Sequence, residues 1–122
     1  MRLKSAIFAS ALVRRVFSRG DFAVIERKGA EDAGAIFVRQ VFRDGSETLY
    51  APAPQSFFEA EDKDTRLFEP RLERASREAV GEALDREVRF DPDLWVVTLE
   101  TDDVAGLFDI PGSEAEDPLF RL

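Results

Sequence analysis

Ala35-Ile36-Phe37-Val38-Arg39-Gln40-Val41-Phe42, then Asp44-Gly45, then Thr48-Leu49-Tyr50-Ala51 is the stretch on which the fold turns. β-Branched and aromatic residues fill both arms, and such side chains fit a pleated, half-buried surface. Between the arms, Asp-Gly supplies the positive backbone dihedrals that a tight hairpin turn needs. Upstream, Phe22-Ala23-Val24-Ile25-Glu26-Arg27 has the same character, separated from the hairpin by a loop from Gly29 to Gly34. Residues 22–51 are therefore expected to form a three-stranded antiparallel meander. Ala51-Pro52-Ala53-Pro54 ends it, because proline cannot donate to a sheet ladder.

Outward from this core the period of the apolar residues changes. Toward the N-terminus, Ala6, Ala9, Leu12, Val13, Val16 and Phe17 share one stripe of a helical wheel. Ser10, Arg14, Arg15, Ser18 and Arg19 lie opposite, which predicts a helix over about Ser5 to Arg19, closed by Gly20. Ile7 and Phe8 fall on its polar side, so its first turns are apolar nearly all round and are expected to be wedged against other elements or a partner chain. Toward the C-terminus, residues 55–66 are acidic and irregular, and Arg66-Leu67-Phe68 has the composition of a short strand. Pro70 suits a first helical position. Leu72, Ala75, Ala79, Val80 and Ala83 then form an inner stripe, so a second helix is predicted from about Pro70 to Arg89. The turn Asp91-Pro92-Asp93 leads into Leu94-Trp95-Val96-Val97-Thr98-Leu99-Glu100, a strongly apolar strand.

The expected architecture is an α+β fold: a mostly antiparallel sheet of about four strands packed with two helices, in the order helix, three strands, helix, strand, acidic tail. Residues 1–101 form one domain and 102–122 an acidic, partly irregular tail, with Leu107, Phe108 and Ile110 as docking residues. A chain of 122 residues that is 44% hydrophobic, with 11 Phe, suffices for one buried core.

Composition narrows the chemistry. Without cysteine there is no disulfide, thiol nucleophile or thiolate metal site, and without histidine the usual base near neutral pH is missing. Of 17 basic residues, Arg2, Lys4, Arg14, Arg15 and Arg19 lie in the first 20 positions with no acid among them, leaving 12 against all 25 acidic residues. An acidic body disfavours binding to nucleic acid. The apolar run Ala6 to Val13 is too short for an export signal and lacks a cleavage site, while the acid-free start also resembles a mitochondrial presequence. No stretch reaches the ~20 apolar residues of a membrane span.

Constellations of polar residues add little. Asp91-Pro92-Asp93 lacks the following lysine of a metal-dependent nuclease and reads as an Asx turn. Gly29 and Gly34 flank acids rather than the lysine and hydroxyl of a phosphate loop. No serine stands in a nucleophile elbow. The carboxylates Glu59, Glu61, Asp62 and Asp64, and the pair Asp102 and Asp103 at a strand end, are weak candidates for Mg²⁺ or Ca²⁺, which take oxygen ligands. Phe57, Phe58 and Trp95 read as core residues rather than a base-stacking platform.

The segments Arg2-Leu3-Lys4-Ser5, Gly34-Ala35-Ile36-Phe37-Val38, Leu49-Tyr50-Ala51-Pro52-Ala53-Pro54-Gln55 and Phe90-Asp91-Pro92-Asp93-Leu94-Trp95-Val96-Val97 resemble a family of small bacterial proteins, domain of unknown function 1491. The resemblance spans nearly the whole chain and implies a bacterial cytoplasmic protein; it brings no catalytic residues. The functional expectation is a non-enzymatic protein-interaction or regulatory module, with Ile7, Phe8, Arg14, Arg15, Phe57 and Phe58 as contact residues. Its partner would be another protein or a second copy, with no nucleic acid, membrane span or cofactor. The alternative is a small carboxylate-based enzyme or ligand-binding protein dependent on Mg²⁺ or Ca²⁺.

Overall fold

A computed structural model describes residues 3–54 and 65–111. The elements are α1 (Ser5–Ser18), β1 (Phe22–Arg27), β2 (Ile36–Val41), β3 (Glu47–Pro52), β4 (Phe68–Ala75), α2 (Arg77–Phe90) and β5 (Trp95–Glu100). The fold is α+β, with one five-stranded sheet in the order β1-β5-β2-β3-β4 and one helix on each face. All neighbouring pairs are antiparallel except β2 and β5.

Two sequence expectations change here. Residues 22–51 are not a meander, because β5 is inserted between β1 and β2, pairing Val24 with Thr98 on one side and Val38 with Val97 on the other. The physical reason is burial: Trp95, Val96 and Val97 are enclosed on both faces, so this strand belongs in the middle of the sheet. The second change concerns residues 68–75, which form a fifth strand rather than the start of a helix. Pairing with β3 satisfies the backbone there, and Leu72 and Ala75 still face α2 from the strand. Helix α2 begins instead after Ser76, whose Oγ accepts the Ala79 N–H at 3.0 Å and caps the helix. Arg74, at φ 50°, breaks the chain direction just before that cap.

Two apolar layers result. Helix α1 lies across β1 and β5, burying Ala9, Leu12 and Val16 against Ala23, Val97 and Leu99. Leu107 joins this layer, with Val104, Phe108 and Ile110 packed on it, so residues 104–110 close the remainder of the face over Tyr50 and Phe68. On the other face α2 lies across β3 and β4, with Val80, Ala83 and Leu84 against Phe37, Leu49 and Val96.

The loop after β1 fixes α1 to the sheet. A side chain on Gly29 would place its Cβ 2.1 Å from the Asp93 carbonyl oxygen, and one on Gly34 would place it 2.4 Å from the same atom. Only glycine permits that approach of backbone to backbone. The Ala30 N–H donates to that Asp93 oxygen at 2.8 Å, and the Trp95 indole N–H donates to the Ala30 oxygen at 2.7 Å. From the same loop, the carbonyls of Asp32 and Glu31 accept the N–H groups of Ser5 and Ala6. These are donors that a helix start otherwise leaves open.

Candidate interaction surface

Helix α1 has two unlike flanks. On the flank toward β4, the Phe8 ring stacks on Phe68 with centroids 5.8 Å apart, and the Arg66 guanidinium lies 5.4 Å from its centre. Arg15 and Phe8 line a cleft of about 670 Å³ whose other wall is residues 103–110. Arg19 crosses to those residues, donating to the Asp103 and Ala105 carbonyls. Thus Phe8 serves the core, while Arg15 is exposed and Ile7 is half exposed. Arg14 points away from the sheet. Phe57 and Phe58 lie outside the described residues, as do Glu59, Glu61, Asp62 and Asp64.

Along the flank toward β1 the character changes. A rotation of 100° per residue puts Ala6, Ser10, Val13 and Phe17 there. Phe17, placed in the buried stripe by sequence pattern, is 50% exposed, and its ring meets Phe22 edge-on at 5.5 Å. Phe22 and Val24 are 47% and 43% exposed. Strand β1 pairs only with β5 among the described residues, so its outer side has no strand partner among them. The sequence pattern does not single out this exposed patch, because the helical stripe puts Phe17 in the core and the strand reading leaves Phe22 and Val24 without an assigned face. The available signal was Phe22 and Val24 alternating with Ala23 and Ile25, which shows that both faces of an edge strand are apolar.

Of the acids singled out in the sequence, Asp102 and Asp103 lie among the described residues, and each accepts a backbone N–H. Asp102 Oδ1 accepts the Arg43 N–H at 3.0 Å, and Asp103 Oδ1 accepts the Ala105 N–H at 2.9 Å. Both line a cleft of about 620 Å³ beside Arg19 and Arg43. Among the described residues, no three acidic side chains are gathered in a way that would hold a metal ion. A carboxylate pair does exist on the α2 face, where Arg39 bridges Glu47 at 2.7 Å and Glu26 at 3.3 Å, and the Thr98 hydroxyl donates to Glu26. This arrangement neutralises the buried Glu47 charge, which fits a structural role.

Two perturbed groups lie in the β2 to β4 half. Burial, and then the nearby Glu73 charge, push the Tyr50 hydroxyl above its ordinary value of 10.0. That hydroxyl donates to Gln40 Oε1 at 2.9 Å, and Gln40 Nε2 donates to the Thr101 carbonyl. Asp44 is held below its ordinary 3.8 chiefly by hydrogen bonds from the Ser46 hydroxyl and N–H, with Arg74 contributing. No helix among the described residues is long and apolar enough to cross a membrane.

Comparison with known proteins gives the same fold and no activity. Nothing matches among curated proteins. The solution structure of protein Atu0922 from A. tumefaciens is 57% identical, with a TM-score of 0.81 over 91% of this chain and 96% of that one. A crystal structure of a DUF1491 family protein from Caulobacter crescentus is 29% identical, with a TM-score of 0.73 over 90% of this chain and 98% of that one. An NMR structure of a Caulobacter DUF1491 protein gives a TM-score of 0.74 at the same identity, over 90% and 97% of the two chains. Residues 3–109 match the family described as a protein of unknown function, so the chain belongs to the DUF1491 family.

Proposed function

We propose that this protein is a cytoplasmic, non-enzymatic module that binds another protein chain along β1 and the adjoining flank of α1. The observation that carries this reading is the outer side of β1, which has no strand partner among the described residues and is bordered by the half-exposed Phe17, Phe22 and Val24. An unpaired strand offers a row of N–H and C=O groups to an incoming strand, and apolar side chains beside it add area that is released from water. The carboxylate-based alternative has less in its favour, since Asp102 accepts the Arg43 N–H from the β2–β3 turn and Asp103 accepts the Ala105 N–H within its own turn.

The test compares the wild type with Val24→Lys, which places a charge on the proposed surface at a position already open to water. Both are used as crosslinking baits in cells, captured chains are identified by mass spectrometry, and each is then purified for direct binding. A defined chain bound directly by the wild type and lost with Val24→Lys is the expected result. Equal binding by the two baits, or none by either, overturns the proposal.

A further inference from the structure

We infer that the chain bound along β1 is a second copy of this protein, joined by a two-fold axis through Val24; this rests on the reading of β1 as the binding surface. A two-fold interface must complement itself, since every group meets what the same surface presents from the other side. The β1 surface meets that condition in three ways.

The first is charge. Asp21-Phe22-Ala23-Val24-Ile25-Glu26-Arg27 carries an acid at one end and a base at the other. Antiparallel pairing centred on Val24 sets Val24 beside its own mate and Ala23 beside Ile25 of the other copy. The Asp21 end of each strand then lies beside the Arg27 end of the other, and Glu26 lies beside Phe22. No like charges meet.

The second is the flank of α1. In a chain that is 34% charged, Ala6, Ser10, Val13 and Phe17 form an uncharged row facing the β1 edge, whereas the opposite flank carries Arg15 and Arg19. A different partner could answer a charge with its opposite. A second copy can do so only between positions away from the axis, as Asp21 and Arg27 do, while a charge on the axis faces its like; an uncharged row avoids that repulsion.

The third is spacing. Helix α1 packs on β1 and β5, and an axis running midway between them would sit about half a strand spacing inside the edge. With ~4.8 Å between the joined strands, the two α1 axes come to about 10 Å apart, within the range at which helices pack. The small Ala6 and Ser10 let them meet at that distance. The result is one ten-stranded sheet with a pair of antiparallel helices over its centre.

Sedimentation equilibrium over about 1 μM to 1 mM checks this, because dimer formation is concentration-dependent. The wild type is expected at twice its 13.8 kDa chain mass at the upper concentrations. Ser10→Glu, a change at an exposed helix position, should weaken association by about 100-fold through facing like charges. Ser10→Lys should do the same. An equimolar mixture of the two variants should recover the dimer, and loss of folding cannot produce that rescue. A wild type that stays monomeric throughout overturns the inference, as does a dimer indifferent to both variants. If the protein is monomeric yet binds a different chain in a Val24-sensitive way, the interaction reading stands and the second copy is excluded.

Discussion

The two edges of the sheet solve the same problem differently. Strand β4 is guarded: Pro70 contributes no donor, the pairing with β3 shifts register twice, and Arg74 turns into the left-handed region. Its charges are engaged too, with Arg71 on Glu87 at 3.2 Å and Arg74 on Asp44 at 3.2 Å. Proline, bulges and charge are the devices that keep an edge from pairing with another chain. Strand β1 has one register shift near Arg27 and otherwise offers Phe22, Ala23, Val24 and Ile25 in regular extension. The shared sheet and shared solvent make the contrast informative: one edge carries proline, two register shifts and paired charges, and the other one register shift at the end of a regular apolar run.

The comparison breaks most completely if the strand that supports β1 is loosened. Trp95 is 2% exposed, sits at the start of β5 and holds the Ala30 loop through its indole N–H. Trp95→Ala should cost about 3–5 kcal/mol, the usual loss for emptying a large aromatic site. Urea unfolding followed by circular dichroism measures it, and a loss under about 1 kcal/mol would mean that the centre of the sheet is not where its stability lies.

A smaller loss sharpens the guarded half. Tyr50→Phe removes the hydroxyl opposite Pro70 and leaves the buried Gln40 oxygen without that donor, a change worth about 1–3 kcal/mol. The pH dependence has a definite sign. Because the folded state raises the Tyr50 value above 10.0, its contribution is fully present below pH 10 and is lost as pH climbs through the higher folded value. Tyr50→Phe should therefore lack that alkaline loss. Parallel alkaline limbs for the two proteins would contradict the assignment.

What the sequence disclosed follows from the same physics. The α1 stripe, the β2–β3 hairpin around Asp44-Gly45 and the apolar run of β5 were legible, because each has an internal period or turn chemistry. The insertion of β5 between β1 and β2 was not, since strand order is decided by which strand needs burial on both faces, a non-local matter. Residues 70–75 misled because Leu72 and Ala75 fit a helical stripe as readily as a bulged strand. Only Ser76, with a helix former three residues on, marked the true start. Of the residues expected to make contacts, Ile7 lies half exposed on α1 and Phe8 packs on Phe68. Phe17 and Phe22 could be seen as a pair only once the turn at Gly20 had brought them to 5.5 Å.

That serine gives the next expectation. Ser76→Ala leaves one α2 donor unanswered and should cost about 1 kcal/mol, read as a lower urea midpoint with unchanged slope. A change in slope would instead mean that β4 and α2 unfold separately, and the guard on that edge would then be a local rather than a global property.

The smallest effect concerns the ion pair that ties the hairpin turn to the guarded edge. Asp44 is fully exposed, so its pairing with Arg74 is screened by water and contributes little. Asp44→Asn keeps an oxygen for the Ser46 N–H and discards only the charge, separating turn geometry from electrostatics. Since the folded value lies below 3.8, the carboxylate stabilises above that pH and its contribution disappears as pH falls through the folded value. Wild type and variant should differ slightly at neutral pH and converge in acid. If the difference grows in acid, or persists unchanged in high salt, charge is not what holds Arg74 over the turn. The 3.8 Å approach of its guanidinium to the Phe42 ring would then be the contact that keeps this edge closed.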